Sequence, residues 1–143
     1  MNPYALRLEH RFAAAVEQVW DAWTTESGLR RWWWPGWTPT IEVDLRVGGR
    51  YRIAAAAQRI VVRGEYLLVA PMTQLRFSWT WVDGAGGSDE VVGEEELVDV
   101  GFVPDADGTL IRLEHTGPWT SAGPTDNYRQ GWTSVLGELT AVV

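Results

Sequence analysis

From Ile41 to His115 apolar residues recur at alternate positions in six successive runs, and helical spacing governs the chain on either side. A period of two turns one face of a strand to a core and the other to water, so these runs read as strands with one buried face. The first holds Ile41, Val43, Leu45 and Val47 and is closed by the hairpin pair Gly48-Gly49. Tyr51, Ile53 and Ala55 continue in the second, and Ile60 to Val69 forms the third, ended by Pro71. Leu75, Phe77, Trp79 and Trp81 share a face of the fourth, and Val98, Val100 and Phe102 mark the fifth. After the turn Asp105-Ala106-Asp107-Gly108, Ile111, Leu113 and His115 line the sixth. Tyr4, Leu6, Leu8, His10 and Phe12 form one more strand ahead of them all.

Val16, Val19, Trp20 and Trp23 are spaced i, i+3, i+4, i+7, a short amphipathic helix whose start at Ala15 offers no side-chain cap. Thr25 caps a second helical turn with Leu29, Trp32 and Trp33 on its inner face, and Pro35-Gly36 ends it. Tyr128, Trp132, Val135, Leu136, Leu139 and Val143 return at helical spacing, with Thr125 or Asp126 as N-cap. Gly131 and Gly137 inside that helix cost roughly 1 kcal/mol each relative to alanine, which predicts a close approach to another element at each. Strand, two short helices, six strands and one long helix make an α+β domain spanning residues 1–143, with a seven-stranded antiparallel sheet. One helix covers only part of such a sheet. The rest is closed by the short helices or left as a cavity.

Composition excludes several chemistries. A chain of 143 residues is one domain that buries roughly 68–70% of its unfolded surface. The absence of cysteine removes disulfides, thiolate metal sites and cysteine nucleophiles. No window of about 20 apolar residues spans a membrane, and Met1 to Arg11 lacks the apolar run of a secretory leader, which makes the cytoplasm the expected compartment. A net charge of −7, with every one of the twelve cations an arginine, argues against nucleic acid as a partner. Two isolated histidines make no zinc site, and Gly84-Ala85-Gly86-Gly87 lacks the helix and lysine of a phosphate loop, so no cofactor is expected. Asp89, Glu90, Glu94, Glu95 and Glu96 read as a solvated loop and strand start. Arg50 and Arg52 alternate with Tyr51 and fall on the outer face, to pair with acids across strands.

Six motifs follow one another in a particular order. They are Val19-Trp20-Asp21-Ala22-Trp23; Leu29-Arg30-Arg31-Trp32-Trp33; Val47-Gly48-Gly49-Arg50-Tyr51-Arg52; Gly64-Glu65-Tyr66 with Pro71, Leu75, Phe77 and Trp79; Gly108-Thr109 with Leu113-Glu114-His115; and Gly131-Trp132 with Leu139. The order resembles the START-like, Bet-v-1-like superfamily, also called SRPBCC. Within it, the chain is similar to the family of the C-terminal domain of activators of the Hsp-90 ATPase. The resemblance implies a helix-grip fold, the sheet curving around the long C-terminal helix with a ligand between them. The residues it would place there are Trp32, Tyr51, Tyr66, Phe77, Trp79, Trp81, His115, Trp119, Tyr128 and Trp132. Tyr66, rather than the adjacent Glu65, is taken to face inward.

Two readings of these aromatics stay open at this point: they wall a pocket for a small hydrophobic molecule, or they pack on one another and fill the space. His115 is the one histidine expected inside, and a satisfied core histidine accounts for it better than a general base. The resemblance also admits a co-chaperone-like module with a protein partner, a homodimer included, or an enzyme of the polyketide-cyclase kind. Trp32 and Trp33 close the mouth of the grip. Trp34 and Trp37 are not required by the fold, and they either extend an aromatic wall or form an exposed patch.

Overall fold

The computed structural model describes residues 2–143. Strand β1 (Leu6–Phe12) leads into helices α1 (Val16–Thr24) and α2 (Glu26–Arg30), and a 3₁₀ turn (Pro35–Trp37) returns the chain to the sheet. Strands β2 (Thr40–Val43), β3 (Arg50–Ala55), β4 (Ile60–Ala70) and β5 (Gln74–Asp83) follow, then a two-residue strand β6 (Val91–Val92). Strands β7 (Glu96–Asp105) and β8 (Gly108–Thr116) precede the closing helix α3 (Gly123–Val142). Seven strands lie antiparallel in the order β1-β8-β7-β5-β4-β3-β2, and β6 pairs with the end of β5. The expected α+β helix-grip architecture is therefore present, with one short strand added in the acidic loop.

Register explains the inner face. Leu6 pairs with His115, His115 with Val98 and Val98 with Phe77, and Tyr66 pairs with the same Phe77. Paired residues share a face, so this line of side chains points one way across five strands. Helix α3 buries Trp132, Leu136 and Leu139 against that face, and α1 and α2 add Val19, Trp23 and Leu29 to the same core. Fully burying one such aliphatic side chain is worth about 1.5–3 kcal/mol. Tyr66 is buried on the inner face, whereas Arg50 and Arg52 point outward, opposite Glu65 and Glu42.

The helix starts differ in quality. Ala15 has no side-chain acceptor to offer α1, and Gln18 Oε1 instead accepts the Ala15 N–H at 3.2 Å. Thr25 caps α2 as expected, its hydroxyl accepting the Gly28 N–H at 2.9 Å. A Cβ on Gly28 would sit 2.4 Å from the Asp21 carbonyl, so glycine is what lets the two short helices abut.

Three sequence expectations need correction. The run Ile41 to Val47 pairs only as far as Val43, because the Asp44 and Gly49 amides close a turn onto Arg50 and Arg46 carbonyls, with Gly48 at φ +85°. Val47 is consequently 63% exposed. Helix α3 begins at Gly123, with Pro124 in its first turn, and Thr125 does not cap it. The Thr125 hydroxyl donates to the Tyr4 carbonyl and ties the helix to the chain ahead of β1. Gly131 and Gly137 mark no close approach, since a Cβ at either would meet nothing within 4 Å. Among the described residues no helix is long and apolar enough to cross a membrane.

Candidate functional site

The ten predicted residues do not meet in one chamber. Tyr51, Tyr66, Phe77 and Trp79 line an internal void of about 30 Å³, joined there by Trp23 and Trp33. That is room for about one water molecule, against roughly 300–1,000 Å³ for a small-molecule pocket. Of the two readings left open by the sequence, close packing holds deep in the grip. Outward from the void, Trp79, Trp81, Tyr128 and Trp132 wall a narrow cleft of about 80 Å³ with Trp33 and Trp34. Further out, Trp81, Trp119 and Tyr128 border an open groove of about 550 Å³ that also receives Glu94 and Glu96. Void and cleft share Trp33 and Trp79, and cleft and groove share Trp81, Tyr128 and Gly131. The three spaces therefore lie in line from core to surface.

Trp32 and His115 line none of the three. Trp32 is fully buried, its Nε1–H donating to the Ala22 carbonyl at 2.9 Å and its ring 4.9 Å from that of Trp23. It fixes α1 against the chain following α2. Around it the indoles form a continuous stack. Trp81 lies over Trp79 at 6.4 Å and 23°, Trp79 is 5.4 Å from Trp132, and Trp132 stacks on Trp23 at 5.9 Å and 20°. Trp33 meets Trp79 and Trp132 edge-on at 5.9 and 5.5 Å. Offset and edge-to-face pairs of this kind add about 0.5–1.5 kcal/mol each beyond area burial. Among the described residues, the buried indole N–H groups of Trp23 and Trp33 find no acceptor, and both residues line the inner void.

Trp34 belongs to the cleft wall rather than to a surface patch. It is half-buried, with its ring edge-on to Trp81 at 5.7 Å, and Trp37 alone of that pair is exposed. Its backbone is left-handed at φ +49°, as is that of Thr38 at φ +46°. Non-glycine residues there cost of order 1–3 kcal/mol and persist where the surroundings hold them. Here the Pro35–Trp37 turn between them swings Trp34 back over Trp81.

The polar part of the site is a chain that sequence reasoning missed. His115 Nε2 lies 2.8 Å from Glu96 Oε1, and Trp132 Nε1–H donates to His115 Nδ1 at 3.0 Å. An indole only donates, so Nδ1 accepts and Nε2 carries the proton that goes to Glu96. Trp119 Nε1–H reaches the other Glu96 oxygen at 3.3 Å. Both histidine nitrogens are thus engaged, the arrangement of a satisfied core residue. Burial holds the His115 pKa below its ordinary value, although the Glu96 carboxylate pulls the other way. Grouped with its neighbours Glu96 reads as a solvated acid, yet it shares strand parity with Val98, Val100 and Phe102, and that signal puts it inside.

Tyr51, Tyr66 and Tyr128 are neutral phenols. Burial raises Tyr51, Tyr66 and Tyr128 above the ordinary value, and nearby Glu96 adds to the effect on Tyr128. Tyr51 donates to the Ser78 carbonyl at 2.7 Å, and Tyr128 accepts from Trp79 Nε1–H at 3.1 Å. Such groups bind and orient. Among the described residues no three His, Asp or Glu side chains converge to hold a metal ion.

Comparison with known proteins places this geometry. The profile of the family described as Activator of Hsp90 ATPase homolog 1-like protein matches residues 13–143. A comparison with curated proteins gives no match. Among solved structures, CV1439 from Chromobacterium violaceum is similar, with 25% identity over 99% of this chain and 98% of its own and a TM-score of 0.81. CalU16 from Micromonospora echinospora is 27% identical over 94% of this chain and 73% of its own, with a TM-score of 0.69. DynU16, a protein of the dynemicin biosynthetic locus, is 19% identical at a TM-score of 0.79 and shares the fold; 98% of this chain covers 47% of DynU16, so the chain spans about half its length. With the family profile running from residue 13 to the final residue, this chain belongs to the Activator of Hsp90 ATPase homolog 1-like protein family.

Proposed function

We propose that this protein is a START-like binding protein for a flat, largely apolar small molecule, taken up where the open groove narrows into the tryptophan cleft. The observation that carries the reading is the line of three spaces, walled by aromatic rings, from surface to core. A groove of about 550 Å³ falls within the usual range for small-molecule sites, and the cleft beneath it is too narrow for anything but the edge of a ring. Deeper entry requires Trp34 and Trp81, both half-buried, to part. The presence of a similar fold, DynU16, in a biosynthetic locus supports a small-molecule role.

The test is a titration with neutral naphthalene- and anthracene-sized probes, followed by tryptophan fluorescence and calorimetry. Saturable binding is expected, weakened about tenfold or more by Trp81→Ala and unaffected by Val47→Ala. Absence of saturable binding across the panel overturns the reading.

A further inference from the structure

The groove's charge is as one-sided as its walls are aromatic. Trp119 and Tyr128 stack at 5.7 Å and 25°, and Trp81 stands beside them. Glu94 and Glu96 line the same space, and among the described residues no arginine or histidine does. At the rim, Trp81 Nε1–H donates to Asp83 at 3.2 Å. Arg59, in the turn between β3 and β4, is occupied with Asp89 and the Gly84 carbonyl.

Glu96 is the telling member. Its side chain is 13% exposed, and its partners are the N–H groups of His115 and Trp119. With Trp132 holding His115 Nδ1 as an acceptor, the imidazole is neutral. A largely buried carboxylate thus has two hydrogen-bond donors and no countercharge. A positively charged ligand group would supply one, and aromatic faces attract such a group through their quadrupoles. The net charge of −7 favours the approach of a cation as well.

We infer that the groove selects an organic cation, a small molecule with an amine or quaternary ammonium centre held among Trp81, Trp119, Tyr128 and Glu96 and a flat apolar body directed into the cleft. This rests on the proposed small-molecule reading and adds the sign of the ligand's charge.

A matched pair of probes separates the two. One is (1-naphthylmethyl)trimethylammonium; the other is its neutral carbon isostere, in which a quaternary carbon replaces the nitrogen. Calorimetry at low salt is expected to give the cation about tenfold tighter binding than the isostere. Glu96→Gln should erase most of that preference while leaving the isostere's affinity in place. Glu94→Gln, at an exposed position, should reduce the preference in part and serves if the Glu96 variant fails to fold by circular dichroism. Equal binding of both probes to the wild type overturns the charge selection and leaves the binding function standing. Failure of both probes to bind overturns the two together.

Discussion

His115 shows how a titratable residue can be spent on structure. Replacing it with leucine keeps roughly the volume but leaves the Trp132 N–H without an acceptor and removes one of the two donors to Glu96. An unsatisfied buried donor together with a weakened buried carboxylate should cost about 3 kcal/mol at pH 7.5 in urea unfolding. The pH dependence has a definite sign. The folded pKa lies below the unfolded one, so the unfolded chain binds the proton first as the pH falls. The stability held by neutral His115 is therefore complete above about pH 6.5 and is lost as the pH drops below it toward the folded value. His10 is shifted the same way by partial burial, and its Nε2 lies 2.8 Å from the Thr140 hydroxyl. Unfolding free energies at pH 7.5 and 5.5 should thus decline in the wild type. The decline should shrink clearly in His115→Leu and only slightly in His10→Gln; an unchanged decline in His115→Leu would show that the imidazole is not held neutral. The sequence exposed the burial of His115, through parity with Ile111 and Leu113. It hid the partner, because three successive glutamates look solvated and only strand register reveals that one of them turns inward.

At the scale of elements, glycine divides the positions that tolerate a methyl from those that do not. In β4 a Cβ on Gly64 would lie 1.9 Å from the Ser78 carbonyl, which is also the acceptor of the Tyr51 hydroxyl. Backbone cannot yield there without opening the β4–β5 ladder. Gly64→Ala should therefore cost more than about 3 kcal/mol, in the range of severe overpacking. Gly137 in α3 is exposed and faces open space, so Gly137→Ala should stabilise the protein by about 0.5–1 kcal/mol, seen as a raised Tm. Gly131 is equally free of neighbours but borders both groove and cleft. Gly131→Ala should raise stability like its neighbour yet weaken binding of the neutral naphthalene probe, because the methyl occupies the groove floor. Gains in both properties would argue that the probe binds elsewhere. The apolar stripe of α3 was legible from spacing alone. What its two glycines do was not, because sequence cannot distinguish a glycine that permits contact from one that leaves a space.

The order of elements over the whole molecule followed from period and turn residues, since each of those is a local signal. How far ten tryptophans fill the interior is not local: it depends on how rings from α1, the chain after α2, β5 and α3 interlock. Trp33 is the residue on which that outcome turns. It separates the 30 Å³ void from the 80 Å³ cleft, and its own N–H has no acceptor. Trp33→Ala would merge the two spaces. The loss of packing should cost about 3–5 kcal/mol, nearer the lower figure because an unsatisfied donor leaves with the ring. The merged cavity has the shape of the missing indole, so added indole should refill it. A ligand that binds the native state at a hundred times its Kd restores about 2.7 kcal/mol. Millimolar indole should therefore raise the Tm of Trp33→Ala by several degrees while moving the wild type little. A rise of equal size in the wild type would mean that the tryptophan cleft already opens without the mutation. No rise in the variant would mean that the surrounding rings collapse into the gap, and that the interior closes on itself rather than on a guest.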